Sequence, residues 1–264
     1  MKAYILDLDG VIYRGSNPIN GAVDAVNRLQ DHAKVLFLTN NSTRSRSVVA
    51  ARLEAAGIRC GAGDVITAGY AAAVYIRKRY GASTVYPIGE AGLTEELKVQ
   101  GHVISENARF VVVGLDRDFN YEKMRIGLQN ITNDAIFIAT NTDPVLPTED
   151  GFVPGAGAIV SALETASGKS PVVTGKPELP IMDIVLDHLG LDAGECTVVG
   201  DRLDTDILAG TRCGMRTVLV LSGVETRDSL ERSDIEPDLV IGSVKELLAA
   251  PEGDDPVRGN VYMK

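Results

Sequence analysis

Cysteine and histidine are scarce, three of each in 264 residues, and neither set forms a motif. Cys60, Cys196 and Cys213 are far apart and in no C-x-x-C pair. That excludes a disulfide framework and a cysteine-ligated zinc site, and it reads as reduced, buried thiols in a cytoplasmic protein. His32, His102 and His188 form no H-E-x-x-H pair, so no catalytic histidine can be argued. No apolar run approaches the ~18 residues of a membrane span. The stretch from Met1 to Leu8 is interrupted by Asp7 and is too short for the apolar region of a secretory signal. Basic charge is short too. The formal net charge is −10 and no basic stripe is visible, which argues against a nucleic-acid partner. A small phosphorylated substrate is still allowed, because a metal and a few cations neutralise it locally.

What is present is core-forming material, with 45% hydrophobic residues and enough length for two domains. Apolar, β-rich runs at Tyr4–Leu8, Val35–Leu38, Phe110–Val113, Ala135–Ala139, Thr197–Val199, Thr217–Leu221 and Asp238–Ile241 predict strands. Stretches of helical length lie between them, at Gly21–Asp31, Ser45–Ala56, Leu93–Gln100, Tyr121–Asn133, Ala156–Ser167, Pro180–Leu189 and Thr205–Cys213. This alternation predicts an α/β fold, a Rossmann-like doubly wound parallel sheet. The middle of the chain has β-α repeats of its own, so residues 81–172 are read as an α/β domain inserted into a core of residues 1–80 and 173–264. The tail from Ala249, with two prolines and two glycines, is expected to fray.

In such sheets active sites collect at the carboxyl ends of strands. Three polar clusters sit at those ends: Asp7-Leu-Asp-Gly10, Thr39-Asn-Asn-Ser42 and Gly200-Asp-Arg-Leu-Asp-Thr-Asp206. Residues two apart on a strand face one side, so Asp7 and Asp9 are expected to share a pocket. Carboxylates that close need a cation or proton between them, or a division of labour between nucleophile and acid/base. An ordinary turn after a buried strand fits the same residues. Thr39 offers a hydroxyl and the amides after it a helix N-terminus suited to anions, although Ser42 or Thr43 as a plain N-cap is compatible. Lys176, between Gly175 and Pro177, is a point charge able to bind phosphate, or simply a solvated loop lysine. The acids after Thr197–Val199 offer hard oxygens that suit magnesium. They are no EF-hand, since Leu203 takes the third loop position and the required glycine is missing. Gly168-Lys-Ser lacks the first Walker A glycine (Leu163 stands there), and Gly155-Ala-Gly157 lacks the third dinucleotide glycine (Val160).

Taken together and in this order, the four segments resemble the haloacid dehalogenase (HAD) superfamily. Asp7-Leu-Asp-Gly10 matches its first motif, Thr39 its second, Lys176 its third, and Gly200-Asp201 with Asp206 its fourth. Only 29 residues separate Asp9 from Thr39, too few for a domain, whereas Thr39 to Lys176 has room for one. That resembles the class with an α/β cap between the second and third motifs. Leu38–Ser42, Gly200–Ile207, Asn141-Thr-Asp-Pro144 and Pro154-Gly-Ala-Gly157 look like its NagD/p-nitrophenylphosphatase branch.

The resemblance implies a phosphatase acting on small phosphate monoesters. Asp7 would form an aspartyl-phosphate, and Asp9 would protonate the leaving group and then activate water. Magnesium would be held by Asp7, Asp201 and the backbone carbonyl of Asp9, with Asp206 ordering its waters. Thr39, the Asn40 amide and Lys176 would hold phosphoryl oxygens, and in the cap Asn141 and Asp143 would touch the leaving group. Related transport ATPases carry threonine at the position of Asp9, so its presence favours hydrolysis. A non-catalytic phosphometabolite-binding protein and a phosphotransferase or mutase are the competing readings. A homodimer joined through the cap is compatible with all of them.

Overall fold

The computed structural model describes residues 2–148 and 151–248. They fall into two compact units. The first takes the described residues of Met1–Thr39, Ala50–Val65 and Leu186–Lys264, the second Asn40–Val49 and Ile66–Val185. The expectation for the tail from Ala249 lies outside the described residues.

In chain order, the first part carries strands β1 (Ala3–Leu6), β2 (Tyr13–Arg14), β3 (Asn17–Pro18), β4 (Lys34–Thr39) and β5 (Val65–Thr67), with helices α1 (Ala22–Leu29), α2 (Arg46–Ala55) and α3 (Ala68–Tyr80). The middle carries β6 (Thr84–Ile88), β7 (Val103–Ile104), β8 (Phe110–Val113), β9 (Ile136–Ala139), β10 (Val145–Thr148), β11 (Gly151–Pro154) and β12 (Val172–Val173), with α4 (Ala91–Val99), α5 (Tyr121–Thr132) and α6 (Ala156–Ser167). The last part runs α7 (Leu179–Leu189), β13 (Cys196–Gly200), α8 (Leu208–Cys213), β14 (Arg216–Val220), α9 (Arg227–Glu231) and β15 (Leu239–Ile241).

The first sheet has the order β15-β14-β13-β1-β4-β5, and the pairs β1–β4, β1–β13, β13–β14 and β14–β15 are all parallel. β1 and β13 are buried along their whole length, as expected of parallel strands covered on both faces. Leu6 is in register with Phe37 of β4 on one side and Val199 of β13 on the other. The chain leaves β1 toward β4 and returns on β1's opposite flank as β13. β1 is therefore the point where the winding reverses, the place such sheets reserve for ligands. In α1, Ala22, Ala25, Val26 and Leu29 are the buried residues, an i, i+3, i+4, i+7 stripe.

The second unit has its own sheet, ordered β12-β9-β8-β6-β7 and parallel throughout, plus the antiparallel hairpin β10–β11. Its core packs Ile88, Val111, Val113, Ile131 and Leu163 on one side and Ile76, Leu93, Leu97, Phe110 and Val112 on the other. No helix among the described residues is long and apolar enough to cross a membrane.

Every strand and helix expected from the sequence is present, with ends shifted by two residues or fewer except at α8, which starts three residues late because a π-helical turn takes Leu203–Ile207. Several elements escape the pattern. α3 lacks a polar face because its first nine residues, Ala68 to Ile76, are nearly all buried, so no amphipathic stripe announces it. Its N-cap is Thr67, whose hydroxyl accepts the Tyr70 N–H at 3.1 Å. β6 contains Pro87, which normally argues against an interior strand. β7 pairs only with Thr84 and Val85, so proline's missing N–H falls where β6 has a single neighbour.

None of the three cysteines is in a disulfide. Burial, aided by Asp64 and Glu54, pushes Cys60 up to about 12, and burial also raises Cys196. At pH 8 both are thiols, not nucleophilic thiolates. In native protein we expect Cys60 and Cys196 to react with Ellman's reagent about 100-fold or more slowly than free cysteine. Full reaction of all three should need guanidinium. Rapid native labelling of Cys60 would contradict this burial.

Candidate active site

Asp7 follows the last residue of β1, and its N–H donates to Val199 O at 2.9 Å, carrying the sheet pairing one step past the strand. Asp201 follows the last residue of β13 in the same way. β13 then gives way to one π-helical turn, Leu203–Ile207, that presents Asp206. Such turns recur at functional sites because the widened backbone re-aims side chains. Here the Arg202 N–H donates to Asp206 Oδ2 at 3.2 Å and fixes the carboxylate. The outcome is a group of three buried acids, Asp7, Asp201 and Asp206, with one carboxylate oxygen from each within 4.8 Å of the others. Asp204, the remaining acid of that segment, is 65% exposed and ion-paired with Arg202 at 3.0 Å.

Three buried carboxylates at this separation repel one another strongly unless a cation sits among them. The donor set is all hard oxygen, which fits a divalent ion such as magnesium that keeps waters and substrate oxygens in its shell. The metal would be held by Asp7, Asp201 and Asp206. Asp206 is close enough to the other two to bind such an ion or to order its waters.

Asp9 follows on the turn after Asp7. β1 ends at Leu6, so Asp7 and Asp9 are not two positions of one strand as expected from the sequence. Asp9 is solvent-exposed and makes an isolated bridge with Tyr13 in a tight turn. That turn closes through the Gly10 N–H on Tyr13 O at 2.7 Å, with Gly10 at φ +83°. Its carboxylate is outside the group of three. Thr39 ends β4, next to β1, and is 3% exposed.

In the second unit Asn40 organises the other expected residues. Its Oδ1 accepts the Lys176 N–H at 2.8 Å while its Nδ2 donates to Lys176 O at 3.0 Å, so the side chain pairs with Lys176 as a neighbouring peptide would. The same Nδ2 reaches Asp143 Oδ2 at 3.3 Å. Asn141 Nδ2 donates to Asn40 O at 2.9 Å, and Asn141 Oδ1 accepts the Asp143 N–H at 3.1 Å. Lys176 is 4% exposed, not a solvated loop lysine. Asn141 and Asp143, expected at the leaving group, are seen bonded to Asn40 and to each other. A cavity of about 450 Å³ in this unit is lined by residues such as Leu115, Asp116, Phe119, Pro154 and Gly155.

The sequence pointed to all of these except one stretch. Ser222–Glu225, beyond β14, touches Asp201 and Gly10, and only the adjacency of β14 to β13 reveals it.

A parallel sheet with paired acids at its central strand ends and an inserted α/β unit defines a hydrolase class, and the comparisons agree. The family described as haloacid dehalogenase-like hydrolase matches residues 4–102, and the HAD-hydrolase-like family matches residues 173–247. An acid sugar phosphatase of Staphylococcus saprophyticus is 38% identical over 250 residues, covering 94% of this chain and 96% of its own. A 5′-nucleotidase of Bacillus subtilis is 40% identical over 247 residues, covering 93% and 96%. The solved p-nitrophenyl phosphatase of Archaeoglobus fulgidus superimposes with a TM-score of 0.90 at 42% identity, covering 94% of this chain and 98% of its own. The chain belongs to the HAD-like hydrolases, in their NagD/p-nitrophenylphosphatase branch.

The placement of Asp206 depends on Gly200, where an added Cβ would lie 2.1 Å from Asp206 Cβ. Gly200→Ala is therefore expected to destabilise the metal-free protein by about 1–3 kcal/mol, the usual cost of overpacking. Gly194→Ala, whose Cβ meets nothing within 4 Å, should stay within about 0.5 kcal/mol of the parent. Urea unfolding of both variants reads the difference, and equal midpoints would sink the claim.

Proposed function

We propose that the chain hydrolyses small phosphate monoesters by passing the phosphoryl group to Asp7 and then to water. It is a phosphatase of the HAD-like class, and the observation that carries the mechanism is the buried group Asp7, Asp201 and Asp206. Asp7, at the end of the central strand, is the nucleophile and attacks phosphorus. Asp9, on the exposed turn next to it, protonates the departing alcohol and then takes a proton from the water that attacks the aspartyl-phosphate. Thr39, the Asn40 backbone amide and Lys176 hold phosphoryl oxygens, and the Asn40 side chain keeps the Lys176 backbone in place. Magnesium, when bound by Asp7, Asp201 and Asp206, with the Asp9 carbonyl as a further ligand, supplies charge neutralisation at the phosphoryl oxygens. No one of these effects would be enough, since uncatalysed phosphate-monoester hydrolysis can require accelerations up to ~10²¹.

The relatives are named for a sugar phosphate, a 5′-nucleotide and p-nitrophenyl phosphate, so we place the substrate among compact monoesters. Residues 81–172 form the cap in this reading, with Asn141 and Asp143 influencing leaving-group choice. A cytoplasmic location belongs to the same proposal, supported by three cysteines that form no disulfide. So does a homodimer, supported by Phe152, 76% exposed on the hairpin β10–β11, and light scattering of purified protein would read it.

With magnesium and p-nitrophenyl phosphate, the parent should turn over, and Asp7→Asn should lose about 10³-fold or more in kcat. EDTA should abolish turnover and magnesium restore it. A parent no faster than Asp7→Asn would refute the assignment. A panel of sugar phosphates, nucleoside monophosphates, phosphoglycolate and glycerol phosphate, ranked by kcat/KM, identifies the leaving group.

A further inference from the structure

The chain leaving β14 crosses the ends of three loops that carry the acids. Ser222 Oγ donates to Gly10 O at 2.7 Å, and Ser222 O accepts from Arg14 Nη2 at 2.7 Å, which ties the segment to the turn after Asp7. The Val224 N–H donates to Asp201 Oδ2 at 2.8 Å, and the Glu225 N–H to Asp201 O at 3.3 Å. Glu225 Oε1 in turn accepts the Leu203 N–H at 3.3 Å, at the start of the π-helical turn bearing Asp206. Ser229 Oγ bonds the other Glu225 oxygen. Three of four consecutive residues, Ser222, Val224 and Glu225, thus engage the Asp7 turn, the Asp201 carboxylate and carbonyl, and the Asp206 turn. Gly223 makes the close approach feasible, because a Cβ there would lie 1.9 Å from Asp201 Oδ2. Its φ lies outside the left-handed region, so space alone calls for glycine at this position.

We propose that Ser222–Glu225 is a strap that presets the metal-binding carboxylates, with Glu225 as a positioning residue acting through Leu203 and Asp201. The inference rests on the reading that Asp7, Asp201 and Asp206 hold magnesium. Buried acids left to themselves swing apart. Bonds to one Asp201 oxygen and to both flanking backbones hold the group together before the ion arrives, so less of the binding energy goes to ordering it. Glu225 bears a charge but stands outside the group of three. Its contribution is the acceptor at Leu203 N–H, and that contribution does not require the charge.

The test is calorimetric titration of magnesium into the EDTA-stripped full chain, with the melting temperature of each stripped variant measured alongside. Glu225→Ala and Gly223→Ala should each weaken magnesium binding about tenfold or more. Glu225→Gln, which keeps an oxygen for the Leu203 N–H, should bind within about threefold of the parent. For Glu225→Ala, kcat at saturating magnesium should stay within about threefold of the parent, since the strap acts on loading and not on the chemical step. If Glu225→Ala does not melt cooperatively, Gly223→Ala carries the test. Parental affinity in Gly223→Ala and Glu225→Ala, with binding lost in Asp201→Asn, overturns the strap and leaves the metal reading standing. A parent that binds no magnesium, or an Asp201→Asn variant that binds as the parent does, overturns both.

Discussion

Mutual repulsion among Asp7, Asp201 and Asp206 is the constraint around which the first unit is organised. Three buried carboxylates with oxygens within 4.8 Å of one another are unstable as neighbours unless a cation compensates them and the backbone holds them. The sheet meets the second requirement by placing β1 between β13 and β4, so that two acids leave adjacent strand ends one residue apart in register. The π-helical turn at Leu203–Ile207 brings the third back to the same spot. Fold and site are in this sense one arrangement, with the rigid strands setting separations that flexible loops could not hold.

Much of this was legible in the sequence, for identifiable reasons. Apolar runs buried on both faces fix the central strands, and polar residues crowd where those runs end. Asp7, Thr39 and Asp201 could be found because each directly follows or closes such a run. Lys176 had no local signal, being one lysine between a glycine and a proline, and its meaning came only from the order of the four motifs. For Asp7 and Asp9 strand alternation does not supply the argument, because β1 ends at Leu6 and alternation does not govern direction beyond it. Linear spacing gave Asp206 a place near the metal but carried no sign of the π-helical turn that brings it to Asp7 and Asp201. The strap after β14 was illegible for another reason. Ser222 to Glu225 have no distinctive spacing, and they matter only through what lies across the neighbouring strand.

The second unit solves a different problem with an amide. Asn40 offers one donor and one acceptor at the spacing of a peptide group, and it uses both on Lys176. Asn141 and Asp143 extend the same network. A buried lysine on a loop is costly to order. Anchoring its backbone leaves the side chain to be aimed without a long search of loop conformations.

The sheet order also has a bearing on how the molecule is made. β1 leaves the ribosome well before one of its two partners, β13, because Ala3 pairs with Cys196. Until then β1 has an open edge, and the sheet can grow only on the β4 side. Nearly all of the second unit is synthesised in the interval and contains its own sheet, so it is free to fold first. Asp7 therefore waits without its acidic neighbours while the second unit is made. The mutual repulsion of the cluster arises only in the closing step, once β13 has joined β1.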